Sequence, residues 1–402
     1  MSKFEPTNIK GAGDFLPTAQ IMRNRIIDTL KENFEAFGYL PLETALLNYY
    51  ELLSYKYDEN AEILREIYKM KDQGDRDLGL RFDLTVPFCK VIAMNRNLRM
   101  PFKRYEIGKV FRNGPVKLGR TREFYQCDVD CVGIAGPHIE AELVTLTVKC
   151  FKALGIDPIV KIGSRKMLTD IIGTHAEQVI PILDRIGKAS REEILKELKV
   201  YNAEKLLDIK IEPNAELEQL FTILNAMGLK ENYEFAPYLA RGLNIYTGTV
   251  WEVYDKAKRL PSAIGGGGRY DNIIGNFIGN GNFPAVGISF GLEPICAILT
   301  SNTQKPAKCI DLMLVPMGTE IYAQAIAESL RAVGLRVLVY LGGKAVGKAL
   351  EYANAESIPF ACVLGENEVK SGQVSIKNMA TGKQFPFDTK EIAEIKKHLK
   401  GD

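Results

Sequence analysis

Between Arg104 and Asp130 the sequence reads RYEIGKVFRNGPVKLGRTREFYQCDVD, a concentration of cations followed by alternating acceptors. Arg112 closes a strand-like run, a Gly/Pro-rich loop carries Lys117, Arg120 and Arg122, and a second strand begins at Glu123. On that strand Gln126, Asp128 and Asp130 share one face, while Tyr125, Cys127, Val129 and Cys131 share the other. An acceptor-rich floor beside an arginine and a cationic loop could hold an ammonium at one end and polyphosphate at the other. The same pattern also suits an ordinary surface hairpin, so the rest of the chain must decide.

Two further stretches carry chemistry. In LGLRFDLTVPF, Asp83 and Thr85 fall where a strand gives way to a helix, a position at which an aspartate first of all caps the helix. In RGLNIYTGTVWEVYD and SAIGGGGRYDN, four consecutive glycines, among them Gly266 and Gly267, lie between a strand and Arg269, with Arg241 and Tyr246 upstream. Glycines let a ligand approach the backbone closely, as a nucleotide requires, although loops more often use glycine for geometry.

The elements that must position these residues follow from periodicity. Pro17 begins a helix whose apolar positions Met22, Ile26, Leu30, Phe34 and Phe37 recur until Gly38 stops it. Tyr39 to Glu43, with Pro41 inside, reads as a short edge or interface strand. A second helix runs from Ile139 to Leu154 and is closed by Gly155. Residues 164–238 are charge-rich and helical, without strand-like alternation, and read as an inserted lobe. Beyond SNTQKPAK, IDLMLVP, the helix Glu320 to Val333, LRVLVYL, a helix around Lys344 to Ala355 and FACVLG alternate as strand and helix, a compact α/β domain of its own.

Composition bounds the function. The 402 residues are 46% hydrophobic and 25% charged, the profile of a globular chain of two or three domains. A formal charge of +2 leaves no global field for nucleic acid, so any such contact must come from local patches, of which Lys103, Arg104, Lys109, Arg112, Lys117, Arg120 and Arg122 form one. Seven scattered cysteines without a CxxC pair argue for a reducing compartment. Cys127 and Cys131 suit core packing better than zinc, and no structural metal is expected. No apolar run reaches the roughly 18 residues of a membrane span, which together with the cysteines predicts a cytoplasmic protein with no membrane partner.

Taken in order, these motifs resemble those of the histidyl-tRNA synthetases, a family of class II aminoacyl-tRNA synthetases, over essentially the whole chain. FRNGPVKLGRTREF with YQCDVD resembles the second class motif, RGLNIYTG the family's RGL-x-x-Y signature, GGGGRYD its glycine-rich partner and AVGISFGLE the third class motif. The resemblance implies an α+β fold: a class II antiparallel sheet flanked by helices, with a helical insertion and a C-terminal α/β anticodon-binding-type domain. Its parts would be a catalytic domain at 1–163 and 239–301, the insertion at 164–238 and the anticodon domain at 308–402. The activity it implies is ATP-dependent activation of histidine and its transfer to tRNA(His), with magnesium as the counterion of ATP. Arg112 and Arg241 would be the catalytic cations. ATP would be held by Arg112, Arg120, Gly266, Gly267, Arg269 and Glu293, and histidine by Asp83, Thr85, Gln126, Asp130 and Tyr246. A symmetric homodimer is the implied assembly.

Two departures stand out. Asn244 and Ile245 occupy positions where the family commonly has Asp and Tyr, and Pro294 follows Glu293 where the third motif normally ends in Glu-Arg. That arginine would bind the ATP γ-phosphate. Pro294 therefore admits an alternative, a catalytically weak or inactive paralogue, either a regulatory subunit of histidine biosynthesis or a histidine or tRNA sensor.

Overall fold

The computed structural model describes residues 5–55, 62–116, 120–187, 189–241, 245–279, 283–301, 309–343 and 345–401. Lys117 and Asn244 lie outside them. The chain divides into two compact units, residues 1–16 with 23–303, and residues 17–22 with 304–402.

The first unit is built on an eight-stranded sheet in the order β1 (Leu40–Pro41), β5 (Phe102–Phe111), β6 (Glu123–Val132), β11 (Ala285–Gly291), β10 (Gly265–Arg269), β9 (Thr249–Asp255), β7 (Pro158–Ser164) and β8 (Tyr233–Phe235). The two outermost pairs are parallel and every pair between them is antiparallel. Period-2 alternation gives this sheet two unlike faces. One carries Tyr105, Cys127, Val129, Cys131 and Phe290 under the helices Pro17–Ala36 and Pro137–Ala153, where Phe290 packs between Phe34 and Phe151 with ring centroids 5.4 Å from each. Burial of these aromatics and aliphatics, at roughly 25 cal/mol per Å², is what holds the helices down. Cys127 and Cys131 are fully buried there, as core packing requires.

The helix Pro137–Ala153 begins two residues before the expected Ile139, with proline in its first turn, and Gly155 follows its end in the left-handed region as expected. Leu40–Pro41 forms the expected edge strand. A smaller sheet, β2 (Leu47–Tyr49), β4 (Asp77–Leu80) and β3 (Lys69–Lys71), feeds the helix Thr85–Met94. Two elements differ from the sequence reading, and the first is the glycine run, which is not a link between a strand and Arg269 but is itself the central strand β10. The second is Tyr233–Phe235, which is a strand, although its surroundings are charge-rich helix, because Phe221 stacks on Tyr233 and packs edge-on against Phe235, holding the segment beside β7.

The second unit carries a five-stranded sheet in the order β13 (Val337–Val339), β12 (Leu312–Pro316), β14 (Phe360–Leu364), β15 (Gln373–Asn378) and β16 (Gln384–Asp388). Its first three strands are parallel and the last two antiparallel. Leu312, Leu314, Ile326, Leu330, Leu364 and Ile395 fill one core layer. Asp311 ties strand to helix: its carboxylate takes Arg336 Nη2 at 2.9 Å and Lys400 Nζ at 3.0 Å. Among the described residues no helix is long and apolar enough to cross a membrane.

Candidate active site

The face of the large sheet opposite the two covering helices is built from small and acidic residues. Pairing places Arg104 beside Asp130, Glu106 beside Asp128 and Gly108 beside Gln126 on β5 and β6. On the other side Asp130 meets Gly287, Asp128 meets Ser289, and Gln126 meets Gly291. Gly268 and Gly266 continue the rows onto β10. Strand alternation alone thus lays an acidic floor next to a floor of glycine.

Glycine is required at Gly266 because a Cβ there would collide with the Arg241 guanidinium and lie 2.9 Å from the Trp251 carbonyl. Arg241 itself has a φ of +52°, the left-handed region that non-glycine residues rarely enter, and its guanidinium lies 5.4 Å from the Tyr246 ring. Gly268 runs under that ring, its Cβ position 2.8 Å from Tyr246 Cδ1. Arg112 approaches from the hairpin end, donating through Nε to the Phe82 carbonyl at 3.0 Å and lying 5.1 Å from the Phe124 ring. Arg120 is exposed in the hairpin loop.

Asp83 both caps and lines. Its Oδ1 accepts the Val86 amide at 3.0 Å, fixing the start of the helix on which Thr85 stands. Gln126 donates to Ser289 Oγ at 3.0 Å and to Asp128 Oδ1 at 3.3 Å, while its Oε1 is buried with no hydrogen-bond partner among the described residues. Asp130 accepts the Tyr270 hydroxyl at 2.5 Å through Oδ1, and its Oδ2 lies 2.8 Å from Arg104 Nη2. Arg104 is wholly buried over the Phe88 ring and also donates to the Leu84 carbonyl. Beneath them Arg81 pairs with Glu106 at 2.6 Å.

Burial and crowding tune these groups. Asp128 is pushed up to about 7 by burial and by the neighbouring Asp130, against the pull of Arg104. Asp130 is raised in the same way, with Arg104 and Tyr270 opposing. The Tyr246 and Tyr270 hydroxyls are driven up by burial and held neutral, so each is a donor at physiological pH.

The sheet thus brings together Asp83, Thr85, Gln126, Asp130, Tyr246, Arg112, Arg241 and Gly266. Three expected ATP contacts it turns away. Gly267 and Arg269 are one and three residues from Gly266, so alternation points both to the helix-covered face, where Arg269 donates to Glu140 at 2.7 Å, to Asp271 and to the carbonyls of Ile134 and Gly136. Glu293 pairs with Arg23 at 2.8 Å and accepts the Tyr125 amide, which makes it a clamp between helices and sheet. The basic run is not one patch either: Arg104 is buried, Lys103 binds Glu142 and Lys109 binds Glu123. Tyr270 was not foreseen. The signal was present, since it directly follows Arg269 and so returns to the acidic side.

A glycine floor flanked by two arginines thus lies next to a pocket of buried acceptors, on a sheet whose inner strand pairs are all antiparallel, the arrangement that the class II aminoacyl-tRNA synthetase resemblance implies. The comparisons narrow this. Residues 11–178 and 164–295 match the family model for histidyl-tRNA synthetase, and residues 311–399 that for an anticodon binding domain. The chain is 44% identical to histidine–tRNA ligase 1 of Bacillus cereus, over 94% of this chain and 97% of that one, and 40% identical to histidine–tRNA ligase 2 of Shouchella clausii, over 96% and 100%. The solved histidyl-tRNA synthetase of Nostoc sp. PCC 7120 superposes with a TM-score of 0.85 at 27% identity, covering 98% of this chain and all of that one. The chain belongs to the histidyl-tRNA synthetase family.

Proposed function

We propose that this chain activates histidine with ATP and transfers it to tRNA(His), and the observation that carries the reading is Arg241 seated over Gly266 beside the acidic pocket. A primary ammonium meets Asp83, Thr85 and Gln126, whose unpartnered Oε1 is an acceptor in want of a donor. The imidazole lies at the other end, between Asp130 with its Tyr270 partner and the Tyr246 hydroxyl. Reading a ring by buried donors and acceptors rejects side chains that leave them unpaired.

ATP lies over Gly266 with its α-phosphate between Arg112 and Arg241, and Arg120 reaches the outer phosphates. Magnesium arrives as the counterion of ATP. The histidine carboxylate attacks the α-phosphorus and pyrophosphate leaves in line. A carboxylate is already ionised at neutral pH, so what the step needs is orientation and stabilisation of charge on the transferring phosphoryl, which the two guanidiniums supply.

In the same reading the catalytic domain comprises 1–163 and 239–301, the insertion 164–238 receives the acceptor arm, and 308–402 receives the anticodon. The protein works in the cytoplasm as a homodimer. Exposed Leu40, Leu46, Leu47 and Tyr49, gathered on the edge strands β1 and β2 and the turn before them, offer the apolar area for that contact. Charging of tRNA(His) with labelled histidine tests the reading. A chain that binds histidine and ATP but forms neither adenylate nor histidyl-tRNA would instead be a sensor or regulatory paralogue.

A further inference from the structure

Four buried carboxylates, Asp83, Glu106, Asp128 and Asp130, face two buried guanidiniums, Arg81 and Arg104, around the acidic floor. Arg81 is taken by Glu106, and Arg104 by Asp130 at 2.8 Å and by Glu106 at 3.6 Å. Asp83 has the helix amide of Val86. Asp128 is 3% exposed, receives only the Gln126 amide and the Ser289 hydroxyl, and has no ion-pair partner among the described residues. A buried carboxylate without a counter-charge is costly unless a cation arrives or a proton stays on it. Beside it stands Gln126 Oε1, buried and unpartnered.

Resting on the reading of the site as a histidine pocket, we infer that Asp128 is the counter-charge of the substrate's α-ammonium, joining Asp83, Thr85 and Gln126 Oε1 in the seat for its N–H donors. Asp130, already engaged by Arg104 and Tyr270, is left to the ring. The groups facing Asp128 are Asp130 on its own strand, Arg104 and Glu106 on β5, Ser289 on β11, Asp83 before the helix and Tyr246 from the far side. Acids outnumber cations among them, so near neutral pH the empty pocket holds a proton at Asp128. The incoming ammonium displaces it. Because the ionised form binds, affinity for histidine falls as pH drops through about 7.

Imidazolepropionate, which is histidine without its amine, separates the ammonium from the ring. In calorimetry on the wild-type chain at pH 7, repeated in two buffers of different ionisation heat and corrected for the ring proton that each free ligand carries at that pH, histidine should release about half a proton more than imidazolepropionate. Asp128→Asn should raise the histidine KM at pH 8 by about tenfold to a hundredfold. It should also flatten the acid limb of kcat/KM and leave the imidazolepropionate Ki and the ATP KM within about twofold. Equal proton release by the two ligands overturns the inference, and because that arm uses the wild type it stands even if the variant fails to fold. So does a variant that weakens both ligands equally. A wild type that binds no histidine at all overturns instead the function on which the inference rests, and the two failures are therefore distinct.

Discussion

Gly266→Ala probes the platform where its geometry is tightest. The added Cβ would overlap the Arg241 guanidinium and approach the Trp251 carbonyl to 2.9 Å, and on a central strand paired on both sides the backbone cannot retreat. Relief must come from Arg241, which would swing off the phosphate position. Overpacking of this kind costs about 1–3 kcal/mol of stability. Loss of one positioned donor in the transition state costs about 2.7–4 kcal/mol, or a hundredfold to a thousandfold in rate. Histidine-dependent exchange of labelled pyrophosphate into ATP should therefore fall by about that factor in kcat while the histidine KM stays nearly constant, because Asp83, Gln126 and Asp130 are untouched. Arg241→Ala should show the same loss, and adding Gly266→Ala to it should cost little more, since the group being displaced is already gone. Independent, additive losses in the double variant would show that Gly266 does not act through Arg241, and wild-type exchange by Gly266→Ala would refute the placement itself.

Pro294 lies in the first turn of the helix Leu292–Ser301, where proline is tolerated, so Pro294→Arg should fold normally; it should lower the ATP KM by roughly tenfold and leave histidine alone. Arg269 cannot substitute for that missing cation because four protein acceptors hold it, so unchanged ATP kinetics in Pro294→Arg would point to Arg120 or another cation at the γ-phosphate. Asp311 is held down to about 2 because Arg336 and Lys400 outweigh its burial. A depressed pKa stabilises above the unfolded value near 3.9 and the benefit disappears as pH falls through about 2, so Asp311→Asn should destabilise the C-terminal unit by roughly 1–2 kcal/mol at pH 7 and hardly at pH 2, read by thermal melts at both pH values. Sedimentation should give twice the chain mass at micromolar concentration, and Leu47→Glu should shift it toward the monomer; a monomeric wild type would contradict the proposed interface.

The sequence was most informative where one residue's period fixed its neighbours. The alternation of Gln126, Asp128 and Asp130 against Cys127, Val129 and Cys131 named the two faces of β6, and Gly155 marked the end of the helix behind it. The same alternation would have excluded Gly267 and Arg269 once Gly266 was assigned a face, and would have returned Tyr270 to the pocket. Other features had no local signature. Nothing in a run of basic residues tells that Arg104 is buried over Phe88 while Arg120 is exposed, because that depends on which strands flank β5. Arg23 and Glu293 meet across 270 positions of sequence, and no local pattern around Glu293 signals so remote a partner.

The pocket is expected to activate histidine and no other amino acid. ATP–pyrophosphate exchange by the purified chain, measured with each of the twenty amino acids in turn, tests it most directly. Exchange with histidine at least a thousandfold above any other amino acid, abolished by Arg241→Ala, is the predicted result. A folded protein that exchanges no pyrophosphate with histidine, or exchanges it equally with another amino acid, would contradict the account.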